Sequence, residues 1–156
     1  MSMFCYQCQE AARGTGCTIQ GVCGKLPETA KLQDLLLHTI KSIAFFSKKL
    51  RASGSITTEI DFYITNSLFM TITNANFDDD AIIVVIKKGL EIRDTLWSLA
   101  KEKGLEIENT FSTYLTSTNE LVTKEQMISF AEKVGVLRTE NEDIRSLREL
   151  VIYGLK

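Results

Sequence analysis

The fold is decided by residues 27–52, PETAKLQDLLLHTIKSIAFFSKKLRA, a stretch with no glycine and no proline after its first position. Pro27 suits the first turn of a helix, where its missing N–H group has no hydrogen bond to lose. The sequence Ser-Gly-Ser at residues 53–55 is typical of a turn after a helix. Between these signals, apolar residues recur at intervals that predict one long amphipathic helix. They are Leu32, Leu36, Ile40, Ile43 and Leu50.

The same spacing predicts two further helices. One is an apolar stripe within residues 60–72, where helical spacing outweighs a Thr and Ile content that also suits a strand. The other begins at the three acidic residues 78–80, because carboxylates cap the free N–H groups of a first turn and interact favourably with the helix dipole. Lys101, Lys103 and Gly104 supply its end.

Two shorter helices are predicted after a polar connector at residues 105–122, which is rich in Ser, Thr and Asn. Thr123 and Gln126 have the spacing of a capping box, so a fourth helix is expected to run to Gly135. Thr139 and Glu142 repeat that spacing and predict the start of a fifth helix. The apolar stripe of this last helix comprises Ile144, Leu147, Val151 and Leu155.

Together these patterns predict an all-α fold, a helical bundle of the three-helix-bundle type behind a glycine-rich cysteine loop. We assign the loop to residues 1–26 and the bundle to residues 27–156. The last apolar stripe reaches Lys156 without a stop signal, so we expect a bundle truncated at its C-terminal helix. Because such a helix would leave apolar side chains in water, we expect a homodimer or helix-swapped oligomer through residues 144–156.

Composition excludes several classes of function. The 18 Lys and Arg residues are balanced by 20 Asp and Glu residues, and no basic patch of the kind that binds nucleic acid is present. Apolar runs such as residues 81–86 are far shorter than the ~20 residues that cross a bilayer, so no membrane span is predicted. The N-terminus carries no secretory signal, and a cytoplasmic protein is expected.

All four cysteines of the chain lie within its first 23 residues and form the candidate site. Cys5, Cys8, Cys17 and Cys23 follow the pattern C-x2-C-x8-C-x5-C. Two structural disulfides are not expected in a reducing cytosol. Four thiolates suit either a tetrahedral zinc ion or an iron–sulfur cluster. One glycine-rich loop of 19 residues favours the larger cluster over the two separate knuckles of a structural zinc site, although zinc and unrelated buried thiols remain alternatives.

Other residue types offer little chemistry. His38 is the one histidine, and it lies within the predicted first helix without the Ser or Cys partners of a nucleophilic site. The glycines at residues 14 and 16 lack the strand, helix and third glycine of a phosphate-binding loop. No residue is therefore assigned a catalytic role.

The cysteine loop carries a family resemblance. Residues 4–25, FCYQCQEAARGTGCTIQGVCGK, resemble the N-terminus of the hybrid cluster proteins, also called prismane proteins or hydroxylamine reductases. Residues 142–156, EDIRSLRELVIYGLK, are similar to the same family at a corresponding distance from the start. The two stretches cover roughly a quarter of the chain, and the helices between them are compatible with the N-terminal helical bundles of that family.

The resemblance implies that Cys5, Cys8, Cys17 and Cys23 carry a [4Fe-4S] cluster, which passes electrons from a redox donor that the sequence does not identify. This cluster can be lost in an aerobic preparation. The family reduces hydroxylamine to ammonia and water, and has been linked to nitric oxide reduction. That chemistry takes place at a second, hybrid Fe–S–O cluster held by a His, Glu residues and further Cys.

The chain departs from the family in length and in ligands. Family members run to several hundred residues, and no cysteine follows Cys23 here. This chain is therefore expected not to assemble the hybrid cluster and to be inactive by itself as a hydroxylamine reductase. A second hypothesis from another class is a structural zinc-binding or helical interaction module without a redox role.

Overall fold

Helices account for the regular structure in the described part of the chain, which confirms the predicted all-α fold. The computed structural model describes residues 2–55, 57–72, 76–105 and 121–156. Its α-helices are α1 (Pro27–Arg51), α2 (Thr58–Met70), α3 (Asp79–Glu102), α4 (Lys124–Val134) and α5 (Glu142–Leu155). Short 3-10 turns occupy Ala12–Gly14 and Val136–Arg138. Of the predicted connector, residues 106–120 lie outside the described residues.

Helix α1 is the centre of the bundle, and α2, α3 and α4 all pack against it. Its predicted bounds are confirmed, with Pro27 at the first helical position. One core cluster joins the first half of α1 to α3 and α4, and a second joins the last half of α1 to α3. The fully buried side chains of these clusters include Leu32, Leu35, Leu36, Ile43, Leu50, Ile82, Ile86, Ala100 and Met127.

Two of the predicted helix starts are confirmed at atomic detail. The Asp78 carboxylate accepts hydrogen bonds from the N–H groups of Asp80 and Ala81 at 3.0 and 3.1 Å, which caps α3. Thr123 and Gln126 form the predicted capping box of α4, with the Gln126 N–H donating to Thr123 Oγ1 at 3.3 Å. These caps depend only on neighbouring residues, so the spacing of residues in the sequence is enough to predict them.

The predicted cap of α5 is wrong by two residues. Asn141, not Thr139, precedes the helix, and its side-chain oxygen accepts the N–H of Ile144 at 3.0 Å. The Thr139 N–H is bonded to the Val136 carbonyl in the preceding 3-10 turn. Thr139 Oγ1 instead accepts a hydrogen bond from Arg148. Thr139 is therefore bonded to the preceding 3-10 turn and does not cap α5.

Helix α5 has an unusual distribution of residue types. Its buried residues are the charged Arg145 and Glu149, which are 7% and 4% exposed. The predicted apolar stripe faces outward, together with further apolar residues of the same helix. Ile144, Leu147, Leu150, Val151, Tyr153 and Leu155 are between 47% and 66% exposed. We call these six side chains the outer face of α5.

No helix in the described part of the chain is both long and apolar enough to cross a membrane.

Candidate functional site

The cysteine segment, residues 2–26, folds back on itself through a short antiparallel pairing. Cys5 and Cys17 exchange two backbone hydrogen bonds, of 3.1 Å from the Cys5 N–H and 2.9 Å from the Cys17 N–H. A second turn surrounds Cys23, where the Gly21 N–H donates to the Lys25 carbonyl at 2.9 Å. The pairing brings the first and third predicted ligands together, although twelve positions separate them in sequence.

Two glycines permit the close packing of this segment. Gly16 has a φ of +116°, and a Cβ atom there would lie 2.7 Å from the ring of Phe4. A Cβ atom at Gly21 would lie 3.0 Å from the Cys23 sulfur. A side chain at either position would push the chain away from its neighbours, so the glycines keep the cysteine segment compact.

The four thiols are free of disulfide bonds. Cys17 is buried, and Cys5, Cys8 and Cys23 are partly exposed. Within the ranges that the structure describes, no three His, Cys, Asp or Glu side chains are gathered closely enough to hold a metal ion. The structure thus pairs Cys5 with Cys17 and does not bring a third cysteine into a metal-binding group with them.

Hydrogen-bond donors and a cation face the paired cysteines. The Ala12 N–H donates to Cys17 Sγ at 3.5 Å. The Lys25 ammonium lies 3.9 Å from Cys5 Sγ, and Lys25 is only 2% exposed. Burial raises the pKa of the Cys5 thiol, while Lys25 and the backbone N–H of Gln7 act to lower it. A buried ammonium group beside a thiol favours a negative charge on that sulfur.

Helix α5 forms one wall of the cysteine segment, which the sequence did not predict. Gln7 Nε2 donates to Glu149 Oε2 at 3.4 Å, and Lys156 Nζ donates to Gln7 Oε1 at 3.0 Å. The Arg145 guanidinium lies 4.6 Å from the centre of the Phe4 ring, within the range of a cation–π interaction. The single sequence signal for this contact is a pair of charged residues four apart on α5, and that spacing is common on solvated helices.

A polar cavity of about 460 Å³ lies beside this wall. Acidic and basic side chains both line it, among them Asp34, Lys41, Arg148 and Glu149. Burial is the main cause that raises the pKa of Asp34 to about 7, and the nearby Glu149 raises it further. Sequence analysis did not single out this cavity, because its walls come from α1, the end of α4, the 3-10 turn at Val136–Arg138 and α5.

Comparison with known proteins identifies the family. A model of the prismane/CO dehydrogenase family matches residues 3–156, nearly the whole chain. The chain belongs to the prismane/CO dehydrogenase family. The resemblance seen in the cysteine loop is thereby confirmed. Proteins of the prismane family carry iron–sulfur clusters.

Three relatives of this prismane-family chain are named hydroxylamine reductase. The chain is 53% identical over 156 residues to a hydroxylamine reductase of Bacteroides thetaiotaomicron, of which it covers 27%. It is 48% identical over 157 residues to a hydroxylamine reductase of Desulfitobacterium hafniense, of which it covers 28%. A hydroxylamine reductase of Clostridium botulinum is 46% identical over 177 residues, with 31% of its length covered. The chain thus spans under a third of the length of these curated relatives.

The donor set of the cysteine segment fits the iron–sulfur chemistry of the prismane family. Its four candidate ligands are thiols, the soft donors that such clusters use, and none of them is consumed in a disulfide. The Ala12 N–H group directed at Cys17 and the Lys25 ammonium beside Cys5 are groups of the kind that compensate negative charge on coordinating sulfurs.

Proposed function

We propose that this chain is the electron-entry segment of a hydroxylamine reductase and holds a [4Fe-4S] cluster on Cys5, Cys8, Cys17 and Cys23. Residues 1–26 would bind the cluster and residues 27–156 would form its helical scaffold. The observation that carries the proposal is the buried Lys25 ammonium, 3.9 Å from the Cys5 sulfur. A buried lysine needs an anionic partner, and thiolates bound to iron would supply that charge.

The chemistry of the bound cluster would be the relay of single electrons from a redox donor. The residues of the chain have other tasks. Lys25, beside Cys5, and the Ala12 N–H group, which faces Cys17, would compensate negative charge. The close packing at Gly16 and Gly21 would limit access of water. Because no three cysteines are gathered in the structure, binding requires side-chain rearrangement at some of the four positions.

We also propose that the chain does not reduce hydroxylamine by itself. The named relatives are more than three times as long as the matched region, so their activity belongs to a larger protein. After Cys23 the chain contains no cysteine that could serve a second cluster. Its contribution to such an enzyme would be electron entry alone.

Metal analysis of protein prepared without oxygen tests the proposal. We expect a brown protein with about four iron and four sulfide per chain and a paramagnetic signal after reduction. Replacing Cys8 by Ser should remove most of the iron, whereas Gln20→Ala, an exposed change in the same segment, should not. A colourless protein that binds one zinc ion and cannot be reconstituted with iron and sulfide would instead support a structural zinc module.

A further inference from the structure

Cys5 and Cys17 lie directly opposite each other in the short antiparallel pairing of the cysteine segment. The Cys5 N–H donates to the Cys17 carbonyl at 3.1 Å, and the Cys17 N–H donates to the Cys5 carbonyl at 2.9 Å. Two residues that exchange both hydrogen bonds have Cα atoms about 5.5 Å apart and side chains on the same face of the pairing. The Cα atoms of disulfide-bonded cysteines are commonly about 5.5–6 Å apart. The backbone therefore already has the separation that a disulfide requires.

The side chains of these two cysteines share one apolar cluster. Met3, Cys17 and Ala30 are its buried members, and Cys5 packs against them. Cys17 is only 4% exposed, whereas Cys5 is partly exposed. A reagent from solvent can therefore reach Cys5, and the thiol that packs beside it is shielded from the same reagent.

The other two cysteines are placed differently. Cys8 and Cys23 are partly exposed, and in the described part of the chain neither belongs to the cluster around Cys17. The Cys23 sulfur lies over Gly21 in its own turn, 3.0 Å from where a Cβ atom would stand. In an unfolded chain the short loop between Cys5 and Cys8 would favour joining those two thiols. The folded segment instead favours Cys17 as the partner of Cys5.

We propose that Cys5 and Cys17 form a reversible oxidation site whose reagent is a small-molecule disulfide such as oxidised glutathione. The Cys5 thiolate attacks one sulfur of the reagent, so that a mixed disulfide forms, the bond between the two reagent sulfurs breaks and one glutathione leaves. The Cys17 thiolate then attacks the Cys5 sulfur and displaces the second glutathione. The two cysteines pass two electrons to the reagent, and their two protons leave on the two glutathione molecules.

The disulfide would withdraw two of the four candidate cluster ligands. This consequence rests on the cluster-binding function proposed above, whereas the oxidation site itself does not. Thiolates are the form of cysteine that ligates a metal, and neither sulfur of a disulfide is a thiolate. An oxidised chain would therefore take up no cluster until a thiol reductant restores Cys5 and Cys17.

Two matched double variants test the pairing, each handled without iron or oxygen. Cys8→Ser with Cys23→Ser leaves Cys5 and Cys17, whereas Cys17→Ser with Cys23→Ser leaves Cys5 and Cys8. Both are equilibrated in buffers of graded oxidised and reduced glutathione, and their free thiols are alkylated and counted by mass spectrometry. We expect the chain with Cys5 and Cys17 to be half oxidised at a lower ratio of oxidised to reduced glutathione. An equal or higher ratio overturns the inference.

The parent chain provides a second measurement if a double variant loses its helicity by circular dichroism. Trypsin cleaves after Arg13 and Lys25, which separates Cys5 from Cys17 but leaves Cys5 and Cys8 in one peptide. The first disulfide to form should remove two of the four free thiols and join the two peptides. Fragmentation of the joined peptides should place the bond on Cys5 and Cys17. A first disulfide between any other two cysteines overturns the inference.

Reconstitution with iron and sulfide distinguishes this inference from the proposed function. The reduced parent should take up iron, and the oxidised parent should do so only after reduction. If Cys5 and Cys17 form the disulfide but the reduced chain never takes up iron, the proposed function fails and the oxidation site stands. If the reduced chain takes up iron while the first disulfide joins Cys5 to Cys8, this inference alone fails. Iron uptake by the oxidised parent without reduction refutes the block on cluster binding.

Discussion

The Asp34 carboxylate accepts a hydrogen bond from the Val136 N–H at 3.0 Å, across 102 positions of the chain. This contact ties α1 to the 3-10 turn after α4. Burial raises the pKa of Asp34 from its ordinary 3.8 to about 7, with Glu149 adding to the effect. The Val136 N–H and Lys41 oppose that rise. Near neutral pH, Asp34 therefore carries a proton in a substantial fraction of folded molecules.

Asp34→Asn should remove a pH dependence of stability. Between about pH 4 and pH 7 the folded chain binds more protons at Asp34 than the unfolded chain, so the free energy of unfolding falls as pH rises through this range. The asparagine retains the acceptor for the Val136 N–H and does not ionise. Above pH 7 the variant should be more stable than the parent, by on the order of 1–3 kcal/mol.

Urea unfolding of both chains at pH 5 and pH 8 checks this expectation. Other polar and charged residues also line the cavity, namely His38, Lys41, Arg138, Arg148 and Glu149. The decisive quantity is therefore the difference between the two chains. Asp80→Asn, an exposed change, serves as the control. If Asp34→Asn and the parent show the same pH dependence of stability, the raised pKa of Asp34 is contradicted.

Alanine at Gly89 and at Gly154 should have opposite effects. A Cβ atom at Gly89 would collide with the Tyr63 hydroxyl and lie 2.8 Å from Thr39 Cγ2, where α1 and α2 approach α3. Overpacking there should cost about 1–3 kcal/mol, more than the ~1 kcal/mol gained in helix propensity. Gly154 has open space around it, so the same change should stabilise by up to about 1 kcal/mol. Thermal unfolding measures the change in stability for each variant. If Gly89→Ala and Gly154→Ala both stabilise the chain, the close packing at Gly89 is wrong.

Asn141→Ala should destabilise α5 by about 0.5–2 kcal/mol, because the Ile144 N–H loses its cap. Thr139→Ala should cost less, because Thr139 Oγ1 accepts a hydrogen bond from Arg148, which is exposed. Denaturant titration followed by circular dichroism distinguishes the two. A larger loss of stability for Thr139→Ala than for Asn141→Ala would instead support Thr139 as the cap of α5, as the sequence predicted.

The outer face of α5 should drive self-association through residues 144–156. Each large apolar side chain left in water forgoes about 1.5–3 kcal/mol of burial, and six such side chains lie on one helix. We expect a homodimer or helix-swapped oligomer, which Leu147→Glu should convert towards monomer. Val84→Glu, at an exposed apolar position of α3, is the matched control. Light scattering that finds a monomer at high protein concentration would contradict the expectation.

The sequence predictions succeeded where the interactions involved join residues that are close together in the sequence. The bounds of α1, the Asp78 cap and the Thr123 capping box depend on residues at most four positions apart, and they were predicted correctly. The cap of α5 was mispredicted because Thr139 is taken up by the preceding 3-10 turn. A motif of two residues cannot reveal such competition from a neighbouring element.

In the candidate site, too, local features were predicted from the sequence and long-range contacts were not. The spacing of Cys5, Cys8, Cys17 and Cys23 and the resemblance of the surrounding residues pointed to the family that the whole-chain comparison confirms. The hydrogen bonds of Gln7 with Glu149 and Lys156 join residues more than 140 positions apart, and no local sequence pattern identifies these residues as partners. The sequence analysis expected apolar side chains of α5 to be left in water, but it did not identify Arg145 and Glu149 as the residues that pack inward.

By itself, the amino-acid sequence determined the all-α fold, the starts of α1, α3 and α4, and the clustering of the cysteines, because apolar period, capping and motif spacing are properties of near neighbours. Only the tertiary structure decided that Lys25 is buried against Cys5, that Asp34 meets Val136, and that α5 turns Arg145 and Glu149 inward. The physical reason is that burial and charge pairing depend on which distant elements pack together. That packing depends on interactions throughout the chain and not on near neighbours alone.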